Sequence, residues 1–412
     1  MPVTADSRVE LHPLHFKDEG AGQWIVGRTD TGEFVEVPAE AAAFLRALAG
    51  GADLGGACER VQGEHGVDID AASFVDDLVG LGFVARLDGV GVGEPPPPTS
   101  LRWLRPEHVR WLFRWPLLAA VYLFVLAGVV AAARRGDPIP GFRAYFVTDS
   151  QSVNLAWNTA MVLTAIAIHE FWHLAAARAD GVHARFGLGT RLQVLVAETT
   201  VSGLWGAPRR VRFRVYLAGV TSDLVIIAGC SLAIDACAPS GFALRSLHAL
   251  TLGLLLSIAQ QFALYMRTDM YFVLQELLGC KNLYADSWQY VRYVAQKAAA
   301  VSGRPRPLNP LDEVPFRERR SIRIYSWLMV LGSFASVALF LFYEGPILLH
   351  LFIKAGRQAF DGVTSGDGVR IADGITVFAV EGTLQVLFLR LFIAKHAPKL
   401  RAALDRRSNR RE

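Results

Sequence analysis

The sequence predicts a mainly α protein: a polytopic helical membrane domain of about six spans, preceded by a small N-terminal α+β domain with a winged-helix-like pattern. Three observations predict it. Of the 412 residues, 52% are hydrophobic, and the mean hydropathy of +0.30 is high for a soluble chain. The apolar residues are not spread evenly but gather after residue 100 into long runs separated by basic loops, as in a multi-span membrane protein. Before residue 90 the pattern is that of a small globular unit, cut off by a Gly/Pro-rich stretch.

Within residues 8–88, short strands are expected at 15–17, 23–27 and 33–37, with Thr29-Asp-Thr-Gly32 as turn chemistry between the last two. Helices are expected at 39–48, ended by Gly50-Gly51, at 54–65, and at 71–81, opened by Asp70 and stopped by Gly82. Leu45, Leu48, Val61, Phe74, Leu78 and Leu81 would supply their core. Residues 89–100, with four consecutive prolines, read as a linker. Residues 101–116 carry Trp103, Trp111 and Trp115 among arginines and read as an amphipathic helix at the membrane surface, in contact with lipid.

The membrane domain covers 117–394, with spans expected near 117–133, 153–177, 214–237, 246–267, 324–343 and 373–394. The topology of 344–372 is left open. With six spans the basic segments 102–114, 178–214, 281–323 and 395–411 fall on one side, which the positive-inside rule makes the cytoplasm, with both termini there. Residues 395–412 form a basic tail. The segment 186–206 is not helical in pattern, and strands are expected at 193–196 and 198–201.

Composition also excludes classes of function. The formal charge of +4 is spent at span ends, and no interleaved basic and aromatic module suggests a nucleic-acid partner. Cys58, Cys230, Cys237 and Cys280 form no C-x-x-C pair and read as small buried residues. The polar start of the chain has no signal-peptide pattern.

Chemistry concentrates in Ile166-Ala-Ile-His-Glu-Phe-Trp-His-Leu-Ala-Ala-Ala177, a His-Glu-x-x-His pattern inside an apolar helix. His169 and His173 lie one turn apart on one helix face, where two imidazoles reach a single ion, and Glu170 sits where its carboxylate can take a proton from a water activated by that ion. Ionisable residues inside a span are expensive unless they act. A catalytic zinc needs a third ligand and an open position. Ala176 and Ala179 occupy the places where metzincins carry Gly and His, which excludes that class. Glu198, Asp223 and Asp269 are the available acids. Asp269 is favoured, because a helix entering at the same membrane depth can deliver its carboxylate to the histidine pair.

Two resemblances add to this reading. The order of strands, helix, Gly-rich turn and two further helices in residues 8–88 resembles the PqqD-like peptide-recognition domain, which implies capture of an extended leader peptide along a strand edge. His169-Glu-Phe-Trp-His-Leu-Ala-Ala-Ala-Arg178, Leu217-Ala-Gly219 and Asp269-Met-Tyr-Phe-Val-Leu-Gln-Glu-Leu-Leu-Gly-Cys-Lys-Asn-Leu283 resemble the site-2 protease family of intramembrane zinc metalloproteases, closest to its peptide zinc metalloprotease subgroup near bacterial peptide-maturation systems. The resemblance spans about residues 150–290 and implies His169, His173 and Asp269 as zinc ligands and Glu170 as the base. The family's Gly after the ligand Asp is Met270 here, its upstream Pro is absent near Leu264, its Asn falls near Gln261, and its Pro after Ala218-Gly219 is Val220. The implied substrate is a ribosomally made precursor peptide at a bacterial cytoplasmic membrane, with a peptide exporter as a further candidate partner. A membrane-anchored regulator, such as an anti-sigma factor, is the alternative substrate, and a non-catalytic peptide receptor is the alternative of another class.

Overall fold

The computed structural model describes all residues except 1–3, 5, 6, 21, 29, 30, 32, 93–98, 137, 138, 149, 193, 300–307, 313 and 409–412. It is mainly helical, with a small mixed region at the N-terminus, as the sequence predicts. Most of the turn expected at 29–32, the proline-rich part of the linker and the end of the basic tail lie outside the described residues.

The N-terminal region contains two three-stranded sheets. Strands β2 (His15–Gly20), β3 (Gln23–Gly27) and β4 (Phe34–Pro38) form an antiparallel meander, while β1 (Val9–Leu11), β5 (Val84–Leu87) and β6 (Val90–Gly91) form the second. Between them run α1 (Ala39–Ala49), α2 (Leu54–His65) and α3 (Ala71–Gly80), within a residue or so of expectation. The chemistry of their ends explains this agreement. Asp53 and Asp70 accept hydrogen bonds from the backbone N–H groups of Gly56 and Ser73, capping α2 and α3, and Gly66 ends α2 in a left-handed conformation. Leu45, Leu48, Val61 and Leu78 are buried together with Phe44, Leu54, Val75 and Phe83, while Phe74 and Leu81 pack around them half-buried. β1, β5 and β6 were not expected. They are too short for an alternating pattern to stand out, and β6 moves the start of the linker beyond Gly91.

Ser100, at the far end of the linker, is tied down by three hydrogen bonds. Its N–H donates to Ala184 O (3.3 Å), its carbonyl accepts from Arg178 Nη2 (3.1 Å), and its Oγ accepts from Phe186 N–H (2.9 Å). The single surface helix expected at 101–116 is instead a short turn, α4 (Pro106–Val109), followed by a 3-10 turn (Arg110–Phe113), before a long helix begins at Trp115. Pro106 starts the first turn, and Pro116 falls at the start of the long helix, as proline prefers.

Among the described residues six helices are long and apolar enough to cross a membrane. They are α5 (Trp115–Arg135), α6 (Gln151–Ala179), α7 (Arg209–Cys237), α8 (Gly241–Gln261), then, after the shorter α9 (Asp269–Leu278) and α10 (Leu283–Ala299), a continuous helical stretch from Phe316 to Ser365, and α13 (Gly368–Ser408). The fifth departs from expectation. Here α11 (Phe316–Leu339) passes through a π-helical turn (Phe340–Glu344) into α12 (Gly345–Ser365), so the segment left open by the sequence is helical and packs against α13. Glycines allow the close approaches. A Cβ at Gly128 would meet Ala228 between α5 and α7, and one at Gly374 would meet Ala359 between α12 and α13.

The hairpin between α6 and α7 is longer than expected. β7 (His183–Arg191) pairs with β8 (Val194–Ser202), so the two short strands read at 193–196 and 198–201 are one strand, and its partner precedes both. Glycines 187 and 189 hide β7 in sequence, because they weaken its strand pattern.

Candidate metal centre

The centre is built by four helices of one compact unit, and each contributes through a local feature of its sequence. α6 supplies His169, Glu170 and His173, all buried at 5%, 8% and 5% exposure. Their four-residue spacing brings the two ring Nε2 atoms to 3.1 Å of each other.

The third group comes from α9 (Asp269–Leu278). Asp269 opens this helix directly after a 3-10 turn (Leu264–Met266) and Arg267, which takes a left-handed conformation with φ of 57°. The turn is pinned to the end of α8. Thr268 Oγ1 donates to Gln261 O (2.5 Å), the Asp269 N–H donates to Gln261 Oε1 (3.1 Å), and Tyr325 Oη of α11 donates to Leu264 O (2.9 Å). A core of Tyr271, Cys280, Leu283, Leu311, Ile322, Tyr325 and Met329 holds α9 from behind. The result places Asp269 Oδ2 3.1 Å from His169 Nε2 and 3.0 Å from His173 Nε2. Arg267 does not take this carboxylate, since its guanidinium lies over the rings of Tyr284 and Phe272.

Burial alone would raise the Asp269 pKa, but the imidazoles of His173 and His169 outweigh burial and hold it below the usual carboxylate range. It is therefore an anion at neutral pH.

α7 shapes the opposite wall. A Cβ at Gly219 would collide with the Nε2 atoms of both histidines and stand 2.5 Å from His169 Cδ2, so only glycine leaves this space clear. One turn on, Asp223, at 1% exposure, has its Oδ2 2.9 Å from His169 Nδ1. Facing that carboxylate, Nδ1 is the protonated ring nitrogen of His169, and Nε2 is the nitrogen turned toward Asp269.

Three electron-pair donors thus converge at mutual distances of 3.0–3.1 Å. Together they are a group that can hold a metal ion. Ligands about 2.05 Å from a tetrahedral ion stand about 3.35 Å apart, so the separations of the three atoms fall within a few tenths of an ångström of that spacing. Two imidazoles and a carboxylate are a donor set that suits zinc, and other first-row divalent ions as well.

All of the residues singled out from sequence for the metal are brought together. Of the two alternative acids, Asp223 backs a ligand rather than joining the group, and Glu198 of β8 pairs with Arg191 of β7 at 3.3 Å. Sequence reasoning gave no roles to Gln261 and Thr268, whose task depends on how the 262–268 turn folds back. The four-residue spacing of Gly219 and Asp223 was a usable signal, because it places a gap and a carboxylate on one face of a helix. No protein-family model, curated protein or solved structure matches the chain.

Proposed function

We propose that the chain is an intramembrane zinc-dependent endopeptidase that cleaves a ribosomally made precursor peptide. The observation that carries this is the convergence of His169 Nε2, His173 Nε2 and Asp269 Oδ2 with Glu170 buried on the same helix. Bound by these three side chains, zinc would supply Lewis acidity, polarising a peptide carbonyl and making a water easier to deprotonate.

The rest of the chemistry falls to residues of this chain. Glu170 follows His169 and precedes His173 by three positions, so its carboxylate is on the ligand side of α6. It takes a proton from the attacking water as the new C–O bond forms, and delivers it to the amine nitrogen as the C–N bond breaks. Asp269, held as an anion, stays available as a ligand rather than a proton donor. Gly219 leaves the ligand face uncovered by side chain. Six helices long and apolar enough to cross a membrane support an intramembrane setting, and the positive-inside rule applied to the basic loops favours a bacterial cytoplasmic membrane with both termini toward the cytoplasm. A leader peptide bound by the N-terminal region would be tethered through the chain's own linker to the metal-bearing region, raising the local concentration of its cleavage site.

The test is a digest of a synthetic peptide library by the full-length, detergent-purified protein, read by mass spectrometry beside Glu170→Gln. Cleavage that needs added zinc, stops with a chelator and vanishes in Glu170→Gln supports the proposal. Equal cleavage in Glu170→Gln would sink it. Preference for peptides that form single apolar helices, over soluble leader-like ones, would move the substrate to a membrane-anchored regulator.

A further inference from the structure

We propose that Asp223 is the positioning residue of the metal centre: it accepts the Nδ1 proton of His169 and so fixes the ring and tautomer that present Nε2 to the ion. This rests on the metal-site reading above and adds a fourth residue, on a different helix, that sets how tightly the ion is held.

The argument starts from the cost of Asp223 where it stands. A carboxylate at 1% exposure in a helix long and apolar enough to span a membrane is retained only for a reason. Its Oδ2 has one close partner, His169 Nδ1 at 2.9 Å, and its Oδ1 is buried and accepts no hydrogen bond among the described residues. A single ring contact leaves much of that carboxylate's hydrogen-bonding capacity unmet. A divalent cation held at Nε2, on the far side of the same ring, would balance its charge through the ring, since a carboxylate at Nδ1 makes an imidazole a stronger donor at its other nitrogen.

The geometry of α7 supports a dedicated arrangement. Gly219 and Asp223 are four residues apart and share a face, so one helix both clears the space beside the two Nε2 atoms and holds the back of His169. Ser222 does not compete for the carboxylate, because its Oγ donates to Gly219 O at 2.7 Å. Asp223 is not itself a ligand in this account. It reaches Nδ1, and the ligating atoms gather around Nε2.

The experiment is zinc affinity of the full-length, detergent-purified protein by chelator competition, for wild type, Asp223→Asn and Asp223→Leu, with thermal unfolding of each metal-free form. The amide oxygen of Asn still accepts from Nδ1–H but lacks the charge, whereas Leu does neither. The expected losses are about tenfold for Asn and about 100-fold for Leu, with the metal-free Leu variant unfolding no earlier than wild type. A purely structural role predicts the opposite in the metal-free forms, with Leu unfolding earlier, and that result overturns the proposal. Zinc affinity within about twofold of wild type in the Leu variant overturns it too, as does an Asn variant as weak as Leu. Should the Leu variant not fold, unchanged affinity in Asn is enough to overturn it. A wild type that takes up no zinc would instead bring down the metal-site reading itself.

Discussion

Gly219→Ala is the smallest change that should empty the metal centre without touching a ligand. The added Cβ would stand 2.5 Å from His169 Cδ2 and closer still to the Nε2 atoms of His169 and His173. Ordinary carbon contacts begin near about 3.5 Å, so about 1 Å of movement is needed, by the ring, the helix or both. Metal sites tolerate about 0.2 Å in ligand distance, so a shift of that size breaks ligation rather than weakening it. We expect zinc affinity to fall more than about 100-fold, beyond the loss usual for a residue that only supports a ligand. The assay is zinc content of the purified variant by elemental analysis, with the metal-free unfolding temperature as a control for gross misfolding. A Gly219→Ala protein that folds and retains one zinc per chain would refute the packing argument, since the methyl group would then have found room the structure does not provide.

Other expectations follow from the same geometry. Glu170→Gln should keep its zinc but lose cleavage by about 10²–10⁴-fold, the usual contribution of a general base, measured on whichever peptide the wild type cuts. Gly128→Val, far along the chain from the ligands, should destabilise the α5–α7 contact at Ala228 by about 1–3 kcal/mol, seen as a lower unfolding temperature; an unchanged temperature would mean the helices part easily. Cys280 is 2% exposed, and burial first, then the charge of Glu318, push its thiol up to about 11. At pH 8 it should therefore resist alkylation while the exposed Cys237 reacts, and mass mapping that finds both labelled alike would contradict the core drawn around α9.

What could be seen in the sequence divides along physical lines. The spans were visible because apolar length is a local property, and α3 was visible because Asp70 and Gly82 are local signals. The His169–His173 pair was visible because helical spacing alone makes them neighbours. Asp269 was favoured among the three acids, but the contact of Asp223 with the other nitrogen of His169 was not foreseen. It depends on which side of one imidazole each helix approaches, a matter of tertiary packing. Gln261, noted in the sequence only as standing near the place of an Asn in the family that the chain resembles, grips the 262–268 turn with its side-chain and main-chain oxygens. The hairpin was misplaced because glycines 187 and 189 blur β7, and a strand's identity comes from its partner as much as from its own residues. Of the four cysteines expected to be buried, Cys230 and Cys280 are, whereas Cys58 is half-buried and Cys237, the last residue of α7, is exposed.

The central claim is that His169, His173 and Asp269 hold one catalytic metal ion. The most direct test is metal content of the full-length, detergent-purified protein after exposure to zinc, wild type beside His173→Ala and Asp269→Ala. The account predicts one zinc per chain in wild type and none retained in either variant. Wild type without zinc, or Asp269→Ala with its full complement, would contradict it.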